Sequence, residues 1–164
     1  MQTHLHFSYE WHLAATPTVV WQVLTQLETW PEWWSAVTAV KQTSGGNTRG
    51  EGAVLSSLWK GWLSRPIAIE MRTLVAEENV LLVTKSSGEL QGLGRWELKE
   101  IPVGVTVRYT GEVRLTPFLQ WFYPVLKPFM NLHYQHTMRT GAQGMARKLG
   151  VELIDCVEVA YESS

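Results

Sequence analysis

The stretch from Thr116 to Gly150, TPFLQWFYPVLKPFMNLHYQHTMRTGAQGMARKLG, constrains this chain more than any other. It carries the punctuation of one long helix. Thr116 suits the N-cap, and Pro117 suits the first turn, where a missing N–H costs nothing. At the far end Gly150 can adopt the left-handed conformation that stops a helix, and Arg147 and Lys148 set positive charge against the carbonyl end of the dipole. Counting back from Leu149, Met145, Ala142, Met138, Tyr134 or Gln135, and Asn131 recur every three or four residues and share a face. That face is apolar near its end and wetter further back, so it can cover a sheet and leave a lined space beneath. Pro124 and Pro128 each lack an N–H and bias the preceding residue away from helix. The expectation is a short helical segment over 118–123, a kink, and a main helix from Pro128 to Leu149. At about 1.5 Å per residue that helix is about 33 Å long, enough to cross strands of about 17–20 Å.

The rest of the chain supplies the sheet. Residues 4–13, HLHFSYEWHL, alternate, with Leu5, Phe7, Tyr9, Trp11 and Leu13 on one face and three histidines on the other. Thr16-Pro17 repeats the cap logic of Thr116-Pro117, and Val20, Val23, Leu24 and Leu27 form a helical stripe. Trp30-Pro31 is expected to break this helix, with Glu32–Val37 forming a second short one. The tryptophans Trp30, Trp33 and Trp34 must then be buried against the concave side of a sheet. Strands are expected over 36–43, 53–60, 67–76, 80–87, 88–98 and 105–115, joined by short turns as an antiparallel meander. Inward positions include Met71, Thr73, Trp96 and Tyr109; Gly92 and Gly94 hint at a bulge or sharp bend. GWLSRP at 61–66 reads as an apolar rim loop carrying Trp62 and Leu63. The tail, residues 151–164, alternates weakly and reads as an extra strand, a packing arm or a partly ordered end.

With 164 residues the chain suits one domain, placed at residues 1–150 and followed by that tail. A net charge of −1 gives no electrostatic case for nucleic acid. Cys156 is the only cysteine, so no disulfide forms within the chain and a reducing compartment is compatible. The N-terminus MQTHLHFSYEW lacks the basic start and apolar core of a signal peptide. The expected location is the cytoplasm, with no membrane span.

The charges settle much of the catalytic question. Glu70, Arg72, Arg95, Glu97, Lys99, Arg108, Glu112 and Arg114 fall on outward strand faces, where cross-strand pairing on a wet surface explains them. No buried carboxylate pair for acid–base work stands out. A flat strand does not converge His4, His6 and His12 on a metal, so none is expected, nor any cofactor. Inward polar groups are mostly neutral: Tyr9, Thr73, Thr84 or Ser86, Tyr109, and from the long helix Asn131, Tyr134 and Gln135. They suit either satisfied core hydroxyls or an apolar pocket with a few orienting groups. His133 and His136 fall nearer the polar side and are expected to be exposed. WFYPVLKPFM at 121–130 reads as core or pocket entrance ahead of a membrane or partner contact, because no strongly basic face accompanies it. The glycines at 45, 46, 50 and 52 lack the Lys-Ser/Thr ending of a phosphate loop.

The order of elements, with TPTVVWQVLTQLETWPEWW at 16–34, GELQGLGRWEL at 88–98 and the helix end at Gly141–Gly150, resembles the START-like superfamily, also called Bet v 1-like or SRPBCC. Within it the chain is most similar to the polyketide cyclase/dehydrase and lipid-transport family, over residues 3–150. The resemblance implies an α+β helix-grip fold: a curved seven-stranded antiparallel sheet wrapped around the long helix, with two short helices after the first strand and a cavity between sheet and helix. It also implies a hydrophobic small molecule (lipid, quinone or polyketide-like) in that cavity, held by Trp30, Trp33, Trp34, Met71, Thr73, Trp96, Tyr109, Asn131, Tyr134, Gln135 and Met138. No catalytic residue transfers by position. Carrier or sensor is the leading expectation, a cyclase or dehydratase the alternative, and an interaction module using Trp62, Leu63 and 121–129 the third. Peripheral membrane contact and oligomeric state are left open.

Overall fold

The alternating runs become strands of one sheet, and the capped stretch becomes the helix lying against it. The computed structural model describes residues 4–61 and 65–160. In chain order the elements are β1 (His4–Leu13), α1 (Pro17–Thr25), a single 3-10 turn (Leu27–Thr29), α2 (Trp30–Trp33), β2 (Val37–Ser44), β3 (Val54–Lys60), β4 (Pro66–Glu77), β5 (Leu81–Gly88), β6 (Gln91–Ile101), β7 (Gly104–Arg114), α3 (Pro117–Leu149) and β8 (Leu153–Val159). The sheet runs β2-β3-β4-β5-β6-β7-β1-β8, antiparallel throughout. This is the expected α+β helix-grip arrangement. The apolar loop residues Trp62 and Leu63 lie outside the described residues.

The expected seven strands are one short. Residues 153–159 of the tail add an eighth, pairing Ser8 with Val159, Tyr9 with Glu158 and His12 with Asp155. None of its side chains is fully buried, which is why its alternation is weak: main-chain bonds to β1 hold it there, with only Leu153 and Cys156 packing part-buried against the core. The second short helix also differs. It starts at Trp30, with Pro31 in its first turn, where a proline is tolerated; the break falls earlier, at Gln26.

α3 runs continuously over 33 residues with Pro124 and Pro128 inside it, in place of the expected kink and two segments. The prolines are one turn apart and both exposed. Each removes one main-chain bond on the solvent side, and the bonds around them carry the helix through. Gly150 stops it at φ 66°, its N–H meeting the Arg147 carbonyl at 3.2 Å while Val151 N–H reaches Ala146 at 3.0 Å.

The two halves of α3 differ. Its fully buried residues are Met138, Gly141, Ala142, Gly144, Met145 and Ala146, all in the C-terminal half. They pack on the Trp-rich turn and on β1. Trp11, Trp34 and Leu13 are among the largest fully buried side chains. At Gly144 the helix backbone approaches α2 so closely that an added Cβ would lie 1.7 Å from the Trp33 carbonyl oxygen. In β4 the inward set holds through Ile69, Met71 and Thr73. A bulge between Thr73 and Val75 then shifts the register, so that Ala76 turns inward. No register shift falls at Gly92 or Gly94.

Candidate functional site

Where the N-terminal half of α3 crosses the concave sheet, side chains do not fill the space. A cavity of about 360 Å³ remains, within the ~300–1,000 Å³ typical of small-molecule sites. Four tryptophans, Trp30, Trp34, Trp59 and Trp96, form its inner end. They meet mostly edge to face: Trp30–Trp96 at 6.2 Å, Trp34–Trp59 at 5.2 Å and Trp34–Trp96 at 6.0 Å between centroids. Three of the four indole N–H groups donate within the protein: Trp30 to the Leu24 carbonyl at 3.0 Å, Trp34 to the Thr137 carbonyl at 2.9 Å, and Trp59 to Ser57 Oγ at 3.0 Å. Ser57 in turn donates to the Ile69 carbonyl. Trp30, Trp34 and Trp59 therefore offer the cavity carbon surface, their N–H groups already engaged.

The polar groups come from three elements. β5 contributes Thr84 and Ser86, β7 contributes Tyr109, and α3 contributes His133, Tyr134 and Thr137. Tyr109 packs on Trp96 at 4.5 Å, and Tyr134 stacks on Phe7 at 3.8 Å. Among the described residues neither phenol has a hydrogen-bond partner. Burial pushes the Tyr109 hydroxyl up to about 12. Burial, and then the nearby Tyr109 and Tyr9, raise Tyr134 well above the usual 10. Both are neutral donors at any ordinary pH. Burial holds His133 below its usual 6.5; the charge of His136 adds to this, and a backbone hydrogen bond with Lys60 partly opposes it. Charge stays at the rim, where Arg65 pairs with Glu89 and His4 Nδ1 lies 2.8 Å from Glu112.

Of the residues singled out from the sequence, Trp30, Trp34, Met71, Trp96, Tyr109, Tyr134 and Met138 line this cavity together. Four do not. Trp33 is buried beside them, stacked on Trp34 at 5.6 Å, with its carbonyl against Gly144. Thr73 points into a separate hollow with Thr25, Ala53, Ala76 and Leu82. Asn131 and Gln135 are exposed, because the helix turns Met130, His133 and Tyr134 to the cavity instead. His133 thus corrects the expectation of an exposed imidazole. Stepping back four and eight residues from Met138 gives Tyr134 and Met130, the phase the helix adopts. Stepping back three and seven gives Gln135 and Asn131. The segment 121–130 is likewise neither core nor entrance for the most part: Trp121, Val125 and Phe129 are exposed, although Tyr123 and Met130 pack inward. The strand histidines lie apart from the cavity interior. His12 is 3.1 Å from Glu10, and His4 stacks with His6 at 6.3 Å.

A family described as polyketide cyclase / dehydrase and lipid transport matches residues 4–150. The chain belongs to that family. Solved structures agree on the fold. The Zhui aromatase/cyclase from a Streptomyces species is 9% identical, with a TM-score of 0.71 over 92% of this chain and 94% of its own. A START superfamily protein from Mycobacterium smegmatis is 12% identical, with a TM-score of 0.70 over 89% and 98%. The di-domain ARO/CYC BexL is 18% identical, with a TM-score of 0.70 over 88% of this chain. The chain spans about half the length of the di-domain proteins it resembles, 49% of BexL and 53% of StfQ. No curated protein matches the sequence. Among the described residues, no helix is long and apolar enough to cross a membrane.

Proposed function

We propose that this protein binds a hydrophobic, ring-bearing small molecule carrying a carbonyl or hydroxyl group, as a carrier or sensor. What supports the reading is one arrangement: an apolar cavity whose indole N–H groups are largely satisfied internally, facing two phenols without partners among the described residues. Ring carbon would be buried against Trp30, Trp59 and Trp96, at about 25 cal/mol per Å² before ordering costs. A ligand oxygen would then accept from Tyr109 or Tyr134 and fix the orientation. The test is native mass spectrometry of protein purified from its own host, followed by a tryptophan-fluorescence titration with a hydroxyanthraquinone. A co-purifying mass and saturable quenching are expected, both lost in Ser86→Phe, which fills the cavity. An empty protein with unsaturable quenching sinks the proposal.

One observation favours cyclase chemistry as a second reading. His133, held neutral at pH 7, sits next to Tyr134 on the cavity wall. A phenol donating to a substrate carbonyl while the imidazole takes a proton from the adjacent carbon would promote enolisation and ring closure. Turnover of a poly-β-ketone chain that disappears in His133→Gln, with ligand affinity kept, would select this reading over the carrier.

A further inference from the structure

The N-terminal half of α3 has two apolar faces. One enters the cavity through Leu119, Met130 and Tyr134. The other consists of Phe118, Trp121, Phe122, Val125, Phe129 and Leu132, with exposures from 43% at Phe122 to 86% at Trp121. At about 100° per residue these six fall within an arc of about 100°, so they form a stripe rather than scattered surface carbons. The rings touch one another, Phe118 and Phe122 at 5.1 Å and Trp121 and Phe122 at 6.2 Å.

Charge selects the occupant. α3 carries Lys127, Arg139, Arg147 and Lys148 and no Asp or Glu, in a chain with 15 acidic and 14 basic residues. Lys148 is engaged by Glu32 at 3.1 Å, and Lys127 lies 6.0 Å from the Tyr123 ring. Arg139 and Arg147 are exposed, and they continue the line of the aromatic stripe past Leu132, with His136 and Gln143 between them. A second copy docked face to face through this stripe would set two basic helices without carboxylates against each other. A bilayer containing anionic lipid offers an apolar phase to the rings and phosphates to the arginines.

We propose that this face docks on an anionic bilayer, with α3 in the interfacial plane. Trp121 and Phe129 enter the acyl boundary, and Arg139 and Arg147 meet headgroup phosphates. Docking does not depend on what the cavity holds. If the cavity reading also holds, the helix against the lipid is the cavity's own wall, and ligand exchange would occur at the membrane surface.

The experiment sediments the full chain with vesicles of phosphatidylcholine, alone and with added phosphatidylglycerol. The parent protein is expected to pellet with the mixed vesicles and much less with phosphatidylcholine alone. The exposed double variant Trp121→Ser/Phe129→Ser should partition about tenfold more weakly while keeping its circular dichroism melt. Arg139→Gln/Arg147→Gln should lose the preference for phosphatidylglycerol. Ser86→Phe should pellet like the parent, so failure of the cavity reading would leave this result standing. The proposal is overturned if the parent stays in the supernatant with both vesicles, or if the folded double variant pellets unchanged. A dimer in sedimentation velocity that the double variant dissociates would also overturn it, assigning the stripe to a second copy.

Discussion

The Trp34 indole N–H donates to the main-chain carbonyl of Thr137, 2.9 Å away, across 103 residues of sequence. This bond ties the Trp-rich turn after α1 to α3 at the point where the helix passes from cavity wall to packed core. Trp34→Phe keeps most of the ring and loses the bond, and a cost of about 1 kcal/mol is expected. Trp34→Ala should cost about 3–5 kcal/mol, because Trp34 is among the largest fully buried side chains. Denaturant melts of the two variants separate the terms; an unchanged melt for Trp34→Phe would show that the bond contributes nothing.

Gly144→Ala should be among the most damaging single-methyl additions in the chain. Its Cβ would lie 1.7 Å from the Trp33 carbonyl, a backbone atom with no rotamer to yield. A loss of at least ~2–3 kcal/mol is expected. Exposed Gln143→Ala, one residue away, should stay within ~0.5 kcal/mol. Thermal melts of the pair suffice, and an unchanged melt for Gly144→Ala would refute the close approach.

The lowered His133 pKa gives stability a pH dependence of definite sign. The unfolded imidazole takes a proton near 6.5, and the folded one only at lower pH. Its contribution is therefore complete above 6.5 and is lost as pH falls from there through the folded-state value. Burial would raise the Glu10 carboxyl, but hydrogen bonds from Arg108 and His12 outweigh it and leave the pKa below 4.5, so that group acts in a separate, more acidic window. The melting temperature of His133→Gln should hold up better than that of the parent just below pH 6.5. Parallel curves for the two proteins would contradict the burial of His133.

The phenols act at the alkaline end. Burial, aided by Glu158 and Cys156, pushes Tyr9 up to about 12, and burial alone does the same for Tyr109. A raised folded-state pKa means that the contribution is complete below 10 and lost as pH climbs through about 12. Ultraviolet titration should therefore show phenolate appearing late, together with unfolding. In Tyr109→Phe and Tyr134→Phe, affinity for a hydroxyanthraquinone should fall by about fivefold to tenfold each if the phenols orient the ligand. Unchanged affinity in both would remove them from the site.

What could be read from the sequence followed one-sided burial. β1 announced its inward face because Leu5 to Leu13 alternate against the core, and β7 did the same from Val105 to Val113. Thr73 does face inward, but it lies further along β4 than Met71 and opens on the separate hollow with Thr25, Ala53, Ala76 and Leu82; alternation gives the face of a residue and not which space along that face it meets. The phase of α3 was ambiguous for a different reason. A helix with apolar residues toward the cavity and again toward the outside has no single hydrophobic direction, so spacing alone could not choose Tyr134 over Gln135. The signal that places His133 is its position one turn above Met130 and one turn before Thr137, both of which face the cavity.

β8 has a consequence that reaches beyond the fold. The family match ends at residue 150, yet the sheet continues to Val159. Without β8, the outer side of β1 from Ser8 to Leu13 would present a row of vacant main-chain donors and acceptors, a template for a strand from any neighbouring chain. β8 takes over as the edge strand, and it is the blunter one: seven residues with exposed Asp155 and Glu158, against the ten residues of β1. Trimming the protein to its family boundary would exchange a short, charged border for a longer one that a neighbouring chain can pair with more readily.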